Sequence, residues 1–243
     1  MSLGLGITNE LLETPTDWLP IDESLSTPLQ IWLQNGVGLD PSGSAWLDSS
    51  NKQNAAEQTT EANRPSVVGG GMNFDQSLSH IGNQYMDLES SIVVAEDGAF
   101  SLFFVVKLDE LTNEAIISDT NNEFVEILRD NSFRFKSNVP DNKTTVLRTD
   151  STPFTTSLML VSLIRPANGE FEWYVNGNYV ELNASTTNGS NTNGFDFQNI
   201  GSRNDNDRFL DGILYELLFY TKYITGNTLT RMHTYLKNKF NIS

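Results

Sequence analysis

Two glutamates in one short segment are the residues of this chain that come nearest to an acid–base pair. Residues 171–182 read Phe-Glu-Trp-Tyr-Val-Asn-Gly-Asn-Tyr-Val-Glu-Leu, and a two-residue turn at Asn176-Gly177 would set Glu172 opposite Glu181. Retaining glycosidases hold two carboxyls about 5 to 5.5 Å apart. Opposed glutamates are also typical of a solvated strand edge that resists aggregation. We favour the second interpretation and predict that the chain is not an enzyme and has no catalytic residues.

Two tyrosines on the same hairpin face form a candidate binding surface. The predicted register sets Tyr174 opposite Tyr179, and Asn178 follows the turn. Exposed aromatic rings with nearby amides suit sugar recognition, whereas cross-strand tyrosines are also ordinary sheet stabilisers. Tyr174, Asn178 and Tyr179 are the predicted ligand-binding residues. We expect their face to lie in solvent and the opposite face, with Trp173 and Val175, to enter the core.

Metal chemistry has one weak candidate. Asp205 and Asp207 lie in an oxygen-rich segment that suits calcium, although the spacing fails as an EF-hand loop and a plain polar loop is the alternative. His80 and His233 are the only histidines, so a three-histidine metal site is impossible. We predict no cofactor, with calcium at Asp205 and Asp207 as the alternative.

Composition narrows the range of partners. The 243 residues carry 15 Lys and Arg against 31 Asp and Glu, a net charge of −16, which disfavours nucleic acid because phosphate binding needs basic side chains. Cysteine is absent, so disulfides and thiolate metal sites are excluded. No apolar run approaches the roughly 20 residues of a membrane span, and the first residues show no secretory signal. We expect a protein without a membrane or nucleic-acid partner.

The elements that must position these side chains are mostly strands. Apolar runs bounded by turn residues predict strands at residues 29–33, 100–108, 114–118, 124–128, 132–135 and 158–164. Asp130-Asn131 is predicted to be a two-residue loop that pairs Leu128 with Phe133. The pattern indicates an all-β, two-sheet antiparallel sandwich at residues 29–243.

One helix is predicted to close the chain at about residues 226–240. Its apolar side chains recur at helical spacing and would form one face, with His233 beside them: Leu229, Met232, Leu236 and Phe240. Thr225 or Asn227 can cap its start, and Lys237 and Lys239 fall in the last turn, where the helix dipole favours positive charge.

Residues 1–28 differ from the rest and are predicted to form an N-terminal arm. Prolines at 15, 20 and 28 exclude a long helix. Leu11, Leu12 and Trp18 are costly to leave in water, so docking on the domain or on a neighbouring chain competes with a free tail. These three residues are the predicted assembly residues.

Several short motifs, in order, resemble the concanavalin A-like, laminin-G-like jelly-roll domains. They include Trp46-x-Asp48-x-Ser50, Arg64-Pro65, Asn73-Phe74-Asp75, the aromatic-x-Val-Asn-Gly hairpin, and the last strand at 212–220 followed by the closing helix. That fold hosts lectins, glycanases and structural modules alike. Glycanases of this fold carry a Glu-x-Asp-x-x-Glu strand, which no segment here matches.

The resemblance leads to two functional hypotheses. A freestanding domain with an arm and no cysteine is similar to laminin-G-like accessory proteins of tailed-phage particles. We therefore predict a virion structural protein, either a capsid decoration or a tail-fibre-associated subunit. It would contact other virion proteins and form a homo-oligomer. The alternative is a lectin-like carbohydrate-binding module for host or surface glycans, with calcium assistance as a further hypothesis.

Overall fold

The computed structural model describes residues 18–22, 24–75, 84–119, 123–137, 143–167, 169–183, 192–203 and 208–243. The strands are β1 Leu29–Leu33, β2 Ala45–Trp46, β3 Ala56–Glu57, β4 Ser66–Val68, β5 Gly71–Phe74, β6 Met86–Val94, β7 Phe100–Leu108, β8 Glu114–Ser118, β9 Phe124–Ile127, β10 Phe133–Ser137, β11 Lys143–Leu147, β12 Met159–Arg165, β13 Glu172–Val175, β14 Asn178–Tyr179, β15 Phe195–Ile200 and β16 Gly212–Tyr220. The helix α1 spans Gly226–Phe240, and Glu61–Asn63 form one turn of 3₁₀ helix.

The strands form two antiparallel sheets of eight strands each. The first sheet has the order β14-β13-β12-β7-β16-β5-β4, with β1 also paired to β16. The second sheet has the order β11-β10-β9-β8-β15-β6-β3-β2. The predicted two-sheet antiparallel sandwich with a C-terminal helix is confirmed.

Strand β7 shows why the first sheet lies in the middle of the molecule. Its Leu102, Phe104 and Val106 join the core between the sheets, whereas Phe103 and Val105 join a second apolar cluster on the opposite face. Period-2 alternation sends neighbouring side chains to opposite faces, so a strand covered on both faces must be apolar throughout. The continuous apolar run of β7 is therefore the signature of a sheet with a further layer outside it.

Helix α1 and the described part of the arm supply that outer layer. Leu229, Met232 and Leu236 of α1 are buried in the second cluster, as predicted from their spacing, and Leu25 of the arm is 1% exposed there. Tyr220 Oη donates a hydrogen bond to the carbonyl oxygen of Pro20 at 3.0 Å. Residues 18–22 and 24–28 thus pack on the domain of their own chain.

Asp48, in the Trp-x-Asp-x-Ser motif, accepts hydrogen bonds from several chain segments. One carboxylate oxygen accepts hydrogen bonds from the backbone N–H groups of Trp32 and Ser50, both at 2.8 Å. The other accepts from the backbone N–H of Asn54 at 2.9 Å and from the Ser50 hydroxyl at 2.6 Å. Buried N–H groups need acceptors, and this carboxylate serves three chain segments at once. Asp48 therefore ties the loop after β2 to β1.

Two local predictions need correction. Phe133 pairs with Ile127 and not with Leu128, because Asn131 adopts a left-handed conformation and adds one residue to the loop between β9 and β10. Thr225 occupies the N-cap position of α1, but its side chain makes no capping hydrogen bond.

Within the described ranges, no helix combines the length and apolar character that a membrane crossing needs.

Candidate functional site

An open cleft of about 970 Å³ lies beside the β13–β14 hairpin and is here called the hairpin cleft. One wall is the hairpin with residues 180–183, and the other is the loop at 149–153 that follows β11. Its polar residues are Thr149, Asp150, Ser151, Asn176, Asn178, Glu181, Asn183 and Ser243. Its apolar side chains come from Pro153, Val175, Tyr179, Val180 and Leu182.

The hairpin has the predicted register. Tyr174 pairs with Tyr179 and Val175 with Asn178, while Asn176 and Gly177 both have positive φ angles of 53° and 76°. Such angles define the type I′ turn, whose twist matches the flanking strands. The local sequence is therefore sufficient to place the Asn178 and Tyr179 side chains at the hairpin tip.

Asn176 attaches the hairpin to the sheet behind it. Its backbone N–H donates to the Leu160 carbonyl at 2.7 Å, and its side-chain oxygen accepts from the Leu160 N–H at 3.0 Å. The amide side chain thus continues the β12–β13 ladder where the backbone turns away. These two hydrogen bonds attach the hairpin wall of the cleft to strand β12.

The two walls are joined at Asn183. Its backbone N–H donates to the Arg148 carbonyl at 2.9 Å, and its side-chain amide donates to Asp150 Oδ1 at 3.1 Å. Asn183 and Asp150 are 33 positions apart in the chain. Sequence reasoning missed Thr149, Asp150, Ser151 and Asn183, because no local pattern indicates that the two segments meet.

The three predicted ligand-binding residues fall into two groups. Asn178 and Tyr179 line the cleft, and the Tyr179 side chain is 56% exposed. Tyr174 does not line the cleft; its ring lies 5.2 Å from the His233 ring and 5.5 Å, edge-on, from Tyr179. Its hydroxyl donates to Glu172 at 2.7 Å. Tyr174 therefore supports Tyr179 from behind.

The prediction that this hairpin face lies in solvent is wrong for Tyr174. Tyr174 packs with the α1 cluster, because α1 crosses the outer face of the first sheet. Burial raises the pKa of the Tyr174 hydroxyl above its ordinary value, and the hydrogen bond to Glu172 is the second cause of this rise. A sequence can show that a face is amphipathic but not that a distant helix covers it.

The Glu172 and Glu181 carboxylates occupy different surroundings. Glu172 accepts hydrogen bonds from Tyr174 and Tyr223, one at each oxygen. Glu181 is exposed and lines the hairpin cleft, whereas Glu172 does not. The structure therefore does not place this pair together in the cleft.

The calcium candidates Asp205 and Asp207, and the assembly candidates Leu11 and Leu12, lie outside the described residues. Arg203 and Arg208, on either side of the calcium candidates, are within 3.5 and 3.2 Å of the buried Glu126 carboxylate. Across the described residues, no three His, Asp or Glu side chains group so that they could hold a metal ion. The calcium site stays a prediction.

Trp18, the third assembly candidate, contacts its own domain. Its ring lies 6.2 Å from Tyr235 of α1 in an edge-on arrangement. Trp18 and Leu19 form one side of an apolar groove of about 520 Å³ against α1. The described part of the arm therefore uses its tryptophan within the chain.

Comparison with known families now identifies the fold. A family model described as the concanavalin A-like lectin/glucanases superfamily matches residues 80–229. This chain belongs to that superfamily. A search of curated protein sequences gives no match.

Several solved structures that this chain resembles in fold come from toxins. The binding domain of Paraclostridial Mosquitocidal Protein 1 has a TM-score of 0.59 and 13% identity, with 89% of this chain and 53% of that chain covered. Botulinum neurotoxin type C, which depends on two ganglioside molecules to enter cells, has a TM-score of 0.54 and 14% identity, with 87% and 52% covered.

The binding domain of botulinum neurotoxin DC, solved with rat synaptotagmin II, has a TM-score of 0.53 and 15% identity, with 87% and 52% covered. This chain spans about half the length of the structures that it matches. At these identities the likeness shows the fold alone.

Proposed function

We propose that this chain is a non-enzymatic binding module that recognises a glycan in the hairpin cleft. The observation that carries the proposal is the position of Tyr179, more than half exposed, at the edge of a cleft lined with amide, hydroxyl and carboxylate groups. A sugar presents apolar C–H faces and a rim of hydroxyls. A tyrosine ring complements the first, and convergent polar side chains complement the second.

The support behind Tyr179 adds to the argument. The Tyr174 ring meets it edge-on, and Tyr174 is itself held by Glu172 and by the packing against His233. A platform that is already fixed loses little conformational entropy when a ligand stacks on it. Tyr179 is therefore suited to binding in a way that a freely rotating surface tyrosine is not.

The superfamily and the structural neighbours agree with a binding role. The neighbours are binding domains of toxins, for which gangliosides and a synaptotagmin are named as partners. Those partners belong to the longer proteins, of which this chain matches about half. The proposal for this chain rests on its own cleft.

The virion hypothesis stays a prediction from the sequence resemblance, together with its virion partners, its homo-oligomer and its localisation. No described contact favours it over the glycan proposal, since Trp18 packs on α1 of the same chain. A calcium requirement likewise stays a prediction.

A glycan array followed by calorimetry tests the proposal, with calcium and with EDTA as parallel arms. We expect saturable binding that Tyr179→Ala reduces about tenfold or more, because stacking on one aromatic ring is lost. Tyr179→Phe keeps the ring and should retain most of the affinity. Leu47→Ala, which removes another exposed apolar side chain outside the cleft, should bind like the original protein.

Thermal unfolding of each variant separates loss of binding from loss of folding. Absence of glycan binding in both arms, or binding that Tyr179→Ala leaves unchanged, would overturn the proposal. A difference between the calcium and EDTA arms would decide whether the predicted calcium dependence holds.

A further inference from the structure

The charged side chains that line the hairpin cleft, all of them described residues, are negative. Among its lining side chains, which all belong to the described residues, the ionisable groups of formal charge are Asp150 and Glu181, both exposed, and no Lys, Arg or His contributes. The whole chain carries a net charge of −16. An acidic ligand entering the cleft would approach two carboxylates with no cation to offset them.

Basic side chains do occur near the cleft but do not line it. Arg148 contributes its backbone carbonyl to Asn183, and its exposed side chain is not part of the lining. Lys237 of α1 lies behind the turn, where its Cδ would be 3.5 Å from a Cβ atom added to Gly177. Neither Arg148 nor Lys237 therefore belongs to the lining of the cleft.

We propose that the hairpin cleft selects glycans without acidic groups, namely uncharged or amino-bearing oligosaccharides. This inference rests on the proposed function and adds the ligand class. Carboxylates accept hydrogen bonds only, so Asp150 and Glu181 pair well with sugar hydroxyls and better with an ammonium group. A carboxylate or sulfate on the ligand meets electrostatic repulsion from these two carboxylates, which is strongest at low salt.

Asp150 is held in place for this role. Its Oδ1 atom accepts from the Asn183 amide at 3.1 Å, which leaves further lone pairs of the carboxylate for a ligand. Because Asn183 is also tied to the backbone of residue 148, its amide restrains the position of the Asp150 carboxylate at the cleft.

The test is a glycan array that contains neutral, amino-bearing and acidic oligosaccharides, read for the original protein and for Tyr179→Ala. We expect every signal that depends on Tyr179 to come from a non-acidic glycan. An acidic glycan whose binding is lost in Tyr179→Ala would overturn the charge selection and leave the glycan proposal standing. If no glycan gives a signal, the glycan proposal itself fails, and the selectivity fails with it.

A double variant with Asp150→Asn and Glu181→Gln gives the second readout. Both substitutions keep the side-chain shape and an acceptor oxygen. We expect binding of an acidic oligosaccharide to rise about threefold to tenfold at low salt, and binding of an amino-bearing one to fall, because two like charges are removed. Arg148→Gln is the matched control for a charge change outside the cleft. An unchanged ratio of acidic to amino-bearing binding in the double variant would overturn the inference.

Discussion

The imidazole Nε2 of His233 lies 3.0 Å from the hydroxyl oxygen of Ser162, and this contact joins α1 to strand β12 across 71 residues of sequence. His233 is buried, with the rings of Phe103 and Tyr174 at 6.0 and 5.2 Å. The sequence predicted that His233 packs beside Met232 and Leu236. The structure adds that its polar atom has a partner in the sheet.

His233 makes stability depend on pH. Burial, with the nearby Lys237 cation as a second cause, lowers the pKa of His233 from 6.5 to about 4. A depressed folded-state pKa contributes stability that is fully present above pH 6.5 and is lost as the pH falls towards 4. We expect the original protein to lose on the order of 2 to 3 kcal/mol relative to His233→Gln between pH 7 and 4, measured by urea unfolding.

Lys237→Gln provides the control for this prediction. Removal of that cation should raise the pKa of His233, which proton NMR of the imidazole can follow directly. If the stability difference between the original protein and His233→Gln is the same at pH 7 and at pH 4, the burial argument is wrong.

Lys239, which is partly exposed, forms an ion pair with the buried Glu216 and holds the end of α1. The Lys239 Nζ atom lies 2.6 Å from Glu216, whose other oxygen accepts from the Trp32 indole at 2.8 Å. Burial raises the pKa of Glu216, and Lys239 opposes that rise. Lys239→Met leaves a buried carboxylate without its cation and should cost about 3 to 5 kcal/mol in chemical unfolding.

Lys237→Met is the matched variant for that experiment, because Lys237 lies in the same last turn and has no described ion pair. We expect it to cost under about 1 kcal/mol. Addition of Glu216→Gln to Lys239→Met should recover part of the loss. Equal effects of the two lysine substitutions would show that the ion pair contributes nothing.

Glu114 should give a pH dependence of the opposite sign. Burial raises its pKa from 4.5 to about 7, despite hydrogen bonds from Thr112 and from the Asp211 N–H, the latter at 2.7 Å. A raised carboxyl pKa contributes stability that is fully present below pH 4.5 and is lost as the pH rises through about 7. Glu114→Gln should therefore gain on the order of 1 to 3 kcal/mol over the original protein when both are moved from pH 4 to pH 8.

Unfolding with guanidinium at pH 4 and at pH 8 measures this gain. The nearby Glu110 is exposed, and Glu110→Gln serves as the comparison in the same titrations. Its stability difference from the original protein should stay within about 0.5 kcal/mol at both pH values. A Glu114→Gln protein that shows no relative gain at pH 8 would contradict the assignment.

The arm should contribute to the stability of the domain on which it packs. Leu25 is 1% exposed, whereas Leu19 is 40% exposed. We expect Leu25→Ala to cost about 2 to 4 kcal/mol through lost burial and a residual cavity, and Leu19→Ala under about 1 kcal/mol. Thermal and urea unfolding measure both. Similar small costs for the two substitutions would mean that the arm contributes little to folding.

Light scattering on a sizing column tests whether the arm also acts in assembly. A defined oligomer of the intact chain that becomes monomeric when the chain starts at Leu29 would support the assembly hypothesis. If both the intact chain and the shortened chain are monomers, the prediction of a homo-oligomer is wrong.

Much of this structure could be predicted because the deciding signals are local. The Asn176-Gly177 turn has the positive φ angles of its type and sets Tyr174 against Tyr179, and the spacing of Leu229, Met232 and Leu236 defines the buried face of α1. The loop at Asn131 shows the limit, since one left-handed residue shifted the pairing by one position. Local periodicity determines which side chains share a face, but a single bulge alters the register.

The tertiary structure alone decided what covers each face and which loops meet. The sequence does not show that α1 lies over Tyr174, that Lys239 reaches Glu216, or that Asp150 meets Asn183. These contacts join residues that are 23 to 59 positions apart, and they depend on the order of strands in two sheets. The amphipathic pattern of a strand indicates which face must be buried, whereas the packing of distant elements determines what covers that face. Of the residues proposed to contact a glycan, Asn178 and Tyr179 were predicted from the sequence, whereas only the fold placed Asp150 and Asn183 beside them in one cleft.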